Sequence, residues 1–413
     1  MSNKLDVMDV FATAAHRRIE PRTQDPLGFA PAVNALSAYF SPSLTATTNS
    51  GRYFAVLCAG LLLRSPKQTH KEAVLRFERL WAFGSVAAGQ SRGIRGVQSV
   101  KDQVQLTKSK ELVPVDYPFF RDRSQARQGV WGLYLPSAER LGLHAAGHCS
   151  VRGESLGTAM LERARAQGLS KAVQGGQNFR REDAVGLGTD VGIESNLNSQ
   201  EAKALVEGLR RHDQQQRLAR ILASWRPSFE LDLLARLSGY RPLSVQNDLQ
   251  LVAQAAVALE ELHMHVTRLI DALWQAAKDS NKFSAVIAHK AVVDSSREIP
   301  PAARRLREHL DAVQPLGVEI DAGLASFTAT LESTSPSPGV ASETLLQRHV
   351  EVQQAKGASA WFERRGDQLQ LGTPRGLLLY NPFDLDVRVQ GHAFRLSALQ
   401  TIARAVRAAG VLP

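Results

Sequence analysis

Basic side chains stand in several short clusters along this chain, and some of them lie beside aromatic residues. A planar guanidinium forms paired hydrogen bonds with phosphate oxygens, and an aromatic ring can stack on a base. This pattern of residue types therefore predicts contact with a nucleic acid, with duplex DNA as the expected partner. The candidate contact residues are Arg52, Tyr53, Arg92, Arg95, Lys101, Lys108, Lys110, Arg121, Arg123, Arg127, Arg180 and Arg181.

The same clusters have a second, structural interpretation. Arg52 and Arg79 are also placed to pair with Glu78 or with aspartates inside a helical module. Residues 90–113 are basic but weakly periodic, which is equally typical of a solvated loop. The sequence leaves both interpretations open for each cluster.

The overall charge favours the first interpretation. The 413 residues include 50 lysines and arginines against 40 aspartates and glutamates, a formal net charge of +10. Neutralising phosphates releases condensed counterions, so a surplus of this size favours a polyanionic partner.

Histidine and cysteine spacing predicts neither a metal site nor a cofactor. His263 and His265 are two residues apart on a predicted helix, so they point to different faces and cannot both bind one ion. His144 and His148 are four apart beside Cys149, but the glycines among them indicate a turn and no glutamate completes the motif. We therefore expect His263 to be an ordinary core or surface histidine.

No catalytic signature is found in the sequence. The glycine-rich stretch 167–198 is not followed by Gly-Lys-Ser/Thr, and a Gly-x-Ser-x-Gly hydrolase elbow is missing. The expectation is a non-catalytic protein, with a nuclease of unfamiliar motif as the remaining enzymatic alternative.

The elements that must position these residues are mostly helices. Apolar positions such as Val74, Phe77 and Leu80 recur at helical spacing, and Thr69 with Glu72 forms a capping-box pattern before them. The fold class expected is mainly α, with a small α+β part near the C-terminus. The predicted divisions are an N-terminal helical domain (1–166) whose residues 117–166 resemble a helix-turn-helix or winged-helix core, a glycine-rich connection (167–198), a helical bundle (199–333) and a small α+β domain (341–413).

A long helix is expected to be the central strut of the bundle. Residues 245–277 carry an apolar seam that neighbouring helices must cover. The seam consists of Leu249, Val252, Ala256, Leu259, His263, Val266, Ile270 and Leu273.

Composition predicts a cytoplasmic protein. The longest apolar run, residues 54–63, is far shorter than a membrane-spanning helix, and no export leader is visible. Two cysteines far apart in the chain suit a reducing compartment. No membrane contact is expected.

Short motifs in the first 165 residues resemble a known group of proteins. They are Asp25-Pro26-Leu27-Gly28, Arg52-Tyr53-Phe54, Gly129-Val130-Trp131-Gly132-Leu133-Tyr134, Leu141-Gly142-Leu143 and Arg152-Gly153-Glu154. The pattern is similar to the N-terminal half of uncharacterised bacterial proteins encoded in antiviral defence islands. The resemblance implies a multi-gene phage-resistance system, often beside a helicase, nuclease or methyltransferase, and it transfers no catalytic role.

These observations lead to one hypothesis and its alternatives. The chain is expected to be a non-catalytic DNA-binding or adaptor subunit of a bacterial anti-phage complex, with other subunits as protein partners. The first alternative is a protein-interaction scaffold that binds no nucleic acid, and the second is the nuclease of unfamiliar motif.

Overall fold

The computed structural model describes residues 25, 27–48, 50–119, 125–165, 168–176, 178–239, 247–333, 337–358, 360–371, 392 and 394–412. Within these ranges the fold is mainly α, and its strands form small antiparallel pairs, as the sequence predicts. Two compact units divide the chain. Unit 1 contains Met1–Leu36 and Leu234–His392, and unit 2 contains Ser37–Leu233 and Ala393–Pro413.

The predicted domain boundaries differ from these units because each unit is built from segments that are distant in sequence. Of the expected N-terminal domain 1–166, residues 1–36 belong to unit 1, and residues 37–166 share unit 2 with the connection 167–198 and the final helix. The expected bundle and C-terminal domain contribute to both units. Local composition marks linkers, but it does not reveal which distant helices share a core.

The elements run in the following order. Up to residue 238 they are α1 (Ala30–Phe40), α2 (Gly51–Leu62), α3 (His70–Ala87), α4 (Val97–Leu106), β1 (Leu112–Val113), α5 (Gln125–Gln128), α6 (Val130–Arg140), β2 (His144–Ala145), β3 (His148–Cys149), α7 (Val151–Ala164), α8 (Leu169–Gly175), β4 (Phe179–Arg180), α9 (Arg181–Val191), α10 (Ser199–Leu209), α11 (Asp213–Ser224) and α12 (Glu230–Ser238). The later elements are α13 (Asn247–Asp279), α14 (Phe283–Ala288), α15 (Lys290–Arg297), α16 (Ile299–Val313), α17 (Ala322–Ser333), α18 (Pro338–Ala355), β5 (Phe362–Arg365), β6 (Gln368–Leu371) and α19 (Leu396–Ala408).

Helix α2 is the interior helix of unit 2. Its residues from Gly51 to Leu61 are all buried, as expected for a helix that is apolar on every side. The Ser50 side chain accepts a hydrogen bond from the Arg52 amide and caps the N-terminus. Thr69 caps α3 in the same way by accepting from the Glu72 amide at 3.2 Å.

The stretch 167–198, predicted to be a connection, is instead a packed part of unit 2. It contains α8, β4 and α9, and α9 crosses α3 where Gly84 meets Gly188. A Cβ added to Gly188 would lie 2.0 Å from the Gly84 backbone. Gly188 therefore serves close helix packing, which composition alone cannot distinguish from linker flexibility.

The predicted helix-turn-helix region contains a β-hairpin between its two helices. Helices α6 and α7 flank the β2–β3 hairpin, and α7 packs on α2, where a Cβ on Gly157 would lie 2.9 Å from the Cys58 carbonyl carbon. The solvent face of α7 presents Glu154, Thr158 and Glu162. The DNA-reading role predicted for this region stays a prediction.

The final helix completes unit 2. Helix α19 packs on α11 and buries residues including Leu399, Ile402 and Val406. Its first turn is capped by Glu230, whose carboxylate accepts from the amides of Leu396 at 2.6 Å and Ser397 at 2.9 Å.

Unit 1 is organised around α13, as the predicted seam requires. The apolar seam residues from Leu249 to Leu273 are buried, while His263 is half-buried. Helices α14, α15, α16 and α18 all contact α13, and α17 covers α16.

A β-hairpin supplies the small strand content of unit 1. Strands β5 and β6 pair antiparallel with Glu363 opposite Gln370, and Gly366 has a positive φ of 62° in the turn between them. Residues 372–391 of the expected α+β domain lie outside the described residues.

None of the described helices combines the length and the apolar character that crossing a bilayer requires.

Candidate functional site

Arg52 is a structural cross-link inside unit 2. Its side chain is 2 % exposed and forms an ion pair with Glu201, which is fully buried. The same guanidinium donates to the carbonyls of Ser195 at 3.2 Å and Asn196 at 2.8 Å. Burial lowers the Arg52 pKa, and Glu201 acts against that shift. The Arg52 side chain is therefore too buried to contact a nucleic acid.

Tyr53 is also part of the core rather than a platform for a base. Its ring is 1 % exposed and packs against Trp81 and Tyr134, with ring centroids 5.2 and 4.9 Å away. Its hydroxyl donates to the Gly93 carbonyl at 3.1 Å and accepts from the Arg95 amide at 2.9 Å. Burial raises the Tyr53 pKa, so the hydroxyl stays protonated.

Two further candidates hold backbone segments in place. The Arg95 guanidinium donates to the Thr47 carbonyl at 2.6 Å and lies 5.9 Å from the Tyr134 ring. The Arg181 guanidinium donates to the Thr107 carbonyl at 3.0 Å and lies over the Phe83 ring. Both side chains are half-buried. Their cationic groups are therefore engaged inside unit 2.

The remaining described candidates are exposed. They are Arg92, Lys101, Lys108, Lys110, Arg127 and Arg180. Arg121 and Arg123 lie outside the described residues.

Pairing of β1 with β4 brings two of the sequence clusters together. Leu112 lies opposite Arg180, and the Arg181 amide donates to the Glu111 carbonyl at 2.8 Å. This ladder places the turn with Lys108 and Lys110 beside strand β4, which carries Arg180. These residues form two separate clusters in the sequence, because about seventy positions separate them.

A shallow groove of about 280 Å³ continues this surface. Its lining includes Lys171, Asn178, Arg180 and Asp183. Lys171, an exposed residue of α8, was not a predicted candidate because a single lysine in a short helix gives no pattern. We call the four cations Lys108, Lys110, Lys171 and Arg180 the basic ridge.

Carboxylates moderate the charge of the basic ridge. Glu182 pairs with Arg180 at 3.0 Å, Asp183 lines the groove and Glu111 is exposed in the neighbouring turn. The Arg180 and Glu182 side chains are 68 % and 74 % exposed, so that pair is weak and can yield to a phosphate.

Unit 1 contains a cluster of potential metal ligands that was not predicted from the sequence. Glu260, His263 and His392 each offer a metal-ligand atom, and these atoms lie within 4.8 Å of one another. The Glu260-x-x-His263 spacing was a usable signal, because residues three apart share a helix face. Nothing local pointed to His392. Burial and the nearby His392 imidazole lower the His263 pKa to about 4, which keeps the His263 imidazole neutral at pH 7.

Comparison of the chain with protein-family models, with curated proteins and with solved structures gives no match. The resemblance to proteins of antiviral defence islands stays a prediction.

Proposed function

We propose that the protein is a non-catalytic subunit of a bacterial anti-phage complex and that it binds duplex DNA through the basic ridge. The observation that carries the proposal is the β1–β4 ladder, which joins the Lys108 and Lys110 turn to Arg180. Lys171 extends the same surface along the groove.

The chemistry of the basic ridge suits contact with a phosphate backbone. Lysine binds phosphate as a point charge on a flexible stem, and it needs no fixed geometry. Contacts of this type position a protein on DNA without reading sequence. The nearby carboxylates favour moderate affinity with a strong dependence on salt.

A charge-matched pair of variants tests the proposal. The test protein carries Lys108→Ala, Lys110→Ala and Lys171→Ala, and the control carries Lys67→Ala, Lys71→Ala and Lys203→Ala, three other exposed lysines of unit 2. Both proteins lose the same charge. We expect fluorescence anisotropy with a labelled duplex to show weaker binding for the ridge variant, and a slope of log K against log salt that is shallower by up to about 0.9 per lost contact.

Three outcomes contradict the proposal or a part of it. Equal losses in the two variants mean that the diffuse positive charge, rather than the basic ridge, attracts DNA. Absence of binding by the unaltered protein at low salt removes DNA binding altogether and favours the scaffold alternative. Cleavage of the duplex in the presence of Mg²⁺ or Mn²⁺ contradicts the non-catalytic part.

An adaptor role has its own supporting observation. Leu106 and Leu112 flank the basic turn and are 71 % and 47 % exposed. Exposed large aliphatic side chains are typical of protein-binding surfaces when they lie together. We expect Leu106→Ser with Leu112→Ser to abolish co-purification of the products of neighbouring genes while helical circular dichroism is unchanged. Retention of those products by the variant contradicts this role.

A further inference from the structure

Three potential metal ligands converge on one face of α13. Glu260 and His263 are one turn apart on that helix, so their side chains lie on the same side. His392 reaches the same point from the segment that precedes α19. Its amide donates to Glu260 Oε1 at 3.1 Å, and its Nδ1 lies 2.6 Å from the same oxygen.

His263 has an unmet hydrogen-bonding capacity at this point. Its Nδ1 atom is buried and has no hydrogen-bond partner among the described residues. The ring is held by an edge contact with Phe29 at 5.3 Å and lies 4.3 Å from the His392 ring, measured between centroids. A buried polar atom without a partner is destabilising, so its presence calls for an explanation.

We propose that Glu260, His263 and His392 bind a divalent transition-metal ion, and that Zn²⁺ fits the site best. The set offers two imidazole nitrogens and one carboxylate oxygen, the donors that Zn²⁺ uses in centres with an open coordination position. Ca²⁺ and Mg²⁺ prefer oxygen ligands alone, and the site contains no thiolate to select Cu⁺.

Metal binding at this site requires only small side-chain movements. Ligands about 2.0–2.2 Å from a tetrahedral ion are roughly 3.4 Å from one another. The three ligand atoms already lie within 4.8 Å of one another, so each of these distances has to change by no more than about 1.4 Å. The metal would replace the contact between His392 and Glu260, and any proton shared there would be released to solvent.

Among the described residues, no fourth ligand atom joins these three. Asp25 faces His263 electrostatically, but its carboxylate accepts from the amides of Phe29 at 2.8 Å and Ala30 at 2.9 Å. Asp25 therefore serves as a helix cap and an outer negative charge rather than as a ligand. Water or a small anionic ligand would complete the coordination of the ion.

The competing interpretation is a simple ion pair between His392 and Glu260 with His263 packed beside it. Metal titration of the untagged, chelator-stripped full chain separates the two. We expect calorimetry to show one Zn²⁺ per chain, and Co²⁺ substitution to give visible d–d absorption bands. Zn²⁺ should also raise the thermal midpoint, because binding to the native state alone stabilises it.

Ligand variants give the decisive readout. His392→Ala and Glu260→Gln should each weaken Zn²⁺ affinity by at least about tenfold, since loss of even an outer-shell partner costs about 10–100-fold. His265→Ala is the matched control, because this half-buried histidine of α13 points to another face. Circular dichroism shows whether each variant is folded, and if His392→Ala is not, Glu260→Gln decides.

Several results would overturn the inference. They are no Zn²⁺ binding by the unaltered chain, full affinity in both ligand variants, an equal loss in His265→Ala, or Mg²⁺ competing as an equal of Zn²⁺. None of them bears on the basic ridge, so this proposal and the DNA-binding proposal fail independently.

Discussion

Arg52 differs from the exposed arginines because its charge is buried and paired. Arg52 shares Glu201 with Arg163, whose guanidinium donates to the other Glu201 oxygen at 2.8 Å. Asn198 and Glu201 also form a capping box at the start of α10. The Glu201 carboxylate thus joins α2, α7 and α10. It also accepts from the Asn198 amide, while Arg52 donates to the Asn196 carbonyl.

Removing that carboxylate charge should be costly. Glu201→Gln leaves the buried Arg52 cation without its counter-charge, and we expect a loss of about 3–5 kcal/mol in the free energy of unfolding. Urea denaturation at pH 7 measures it. Glu182→Gln, which breaks the exposed pair with Arg180, is the control and should cause no measurable change. Similar midpoints for the two variants would contradict the structural role of Arg52.

Glu78 is a second buried carboxylate, and it makes stability depend on pH. It accepts from Gln125 Nε2 and from the Val130 amide, both at 2.9 Å, but burial raises its pKa from 4.5 to about 7. The folded state therefore holds a proton that the unfolded state has released between these two pH values.

Stability should consequently fall as pH rises through this window. The contribution of Glu78 is fully present below pH 4.5 and lost above about pH 7, with an amplitude on the order of 3 kcal/mol. We expect the difference in unfolding free energy between the unaltered protein and Glu78→Gln to change across this range and to be flat above it. A pH-independent difference would show that Glu78 ionises normally.

At the scale of elements, the crossing of α3 and α9 depends on the absence of side chains. Gly84 and Gly188 let the two backbones touch, and Trp81 adds a hydrogen bond from its indole to the Val191 carbonyl at 2.7 Å. Gly186 lies on the same helix but faces open space. Two glycines that are two residues apart, and therefore on nearly opposite faces of α9, thus have opposite requirements.

A pair of alanine substitutions in α9 tests this difference. Gly188→Ala should destabilise unit 2 by about 1–3 kcal/mol or more, because the new methyl overlaps the α3 backbone. Gly186→Ala should be neutral or stabilising by up to about 1 kcal/mol through helix propensity. Chemical denaturation of both variants measures the contrast. A stable Gly188→Ala protein would mean that the two helices are farther apart than described.

At the scale of the whole molecule, unit 2 is completed by α19, a helix distant in sequence from the rest of that unit. Glu230 caps α19, so the end of the first segment of unit 2 lies close to the start of its second segment. All four residues of the basic ridge belong to this unit.

Unit 2 should therefore fold after excision of unit 1. We expect residues 37–233 joined to 394–413 by a short glycine–serine linker to unfold cooperatively and to retain salt-dependent DNA binding. Residues 37–233 alone should lack cooperative unfolding, because the apolar face of α11 that α19 covers is then exposed. Equal behaviour of the two fragments, followed by thermal circular dichroism, would contradict the unit boundaries.

The sequence by itself determined the mainly helical class, the cap at Thr69, the interior character of α2 and the buried seam of α13. These are local properties, because periodicity, capping and apolarity are written within one or two turns. The tertiary structure decided which cations are exposed, why the glycines of 167–198 are present, and which distant residues meet. Arg52 and Lys108 are both basic in sequence, yet one is paired inside the core and the other faces solvent. The β1–β4 ladder and the approach of His392 to His263 depend on long-range packing, for which no local pattern exists.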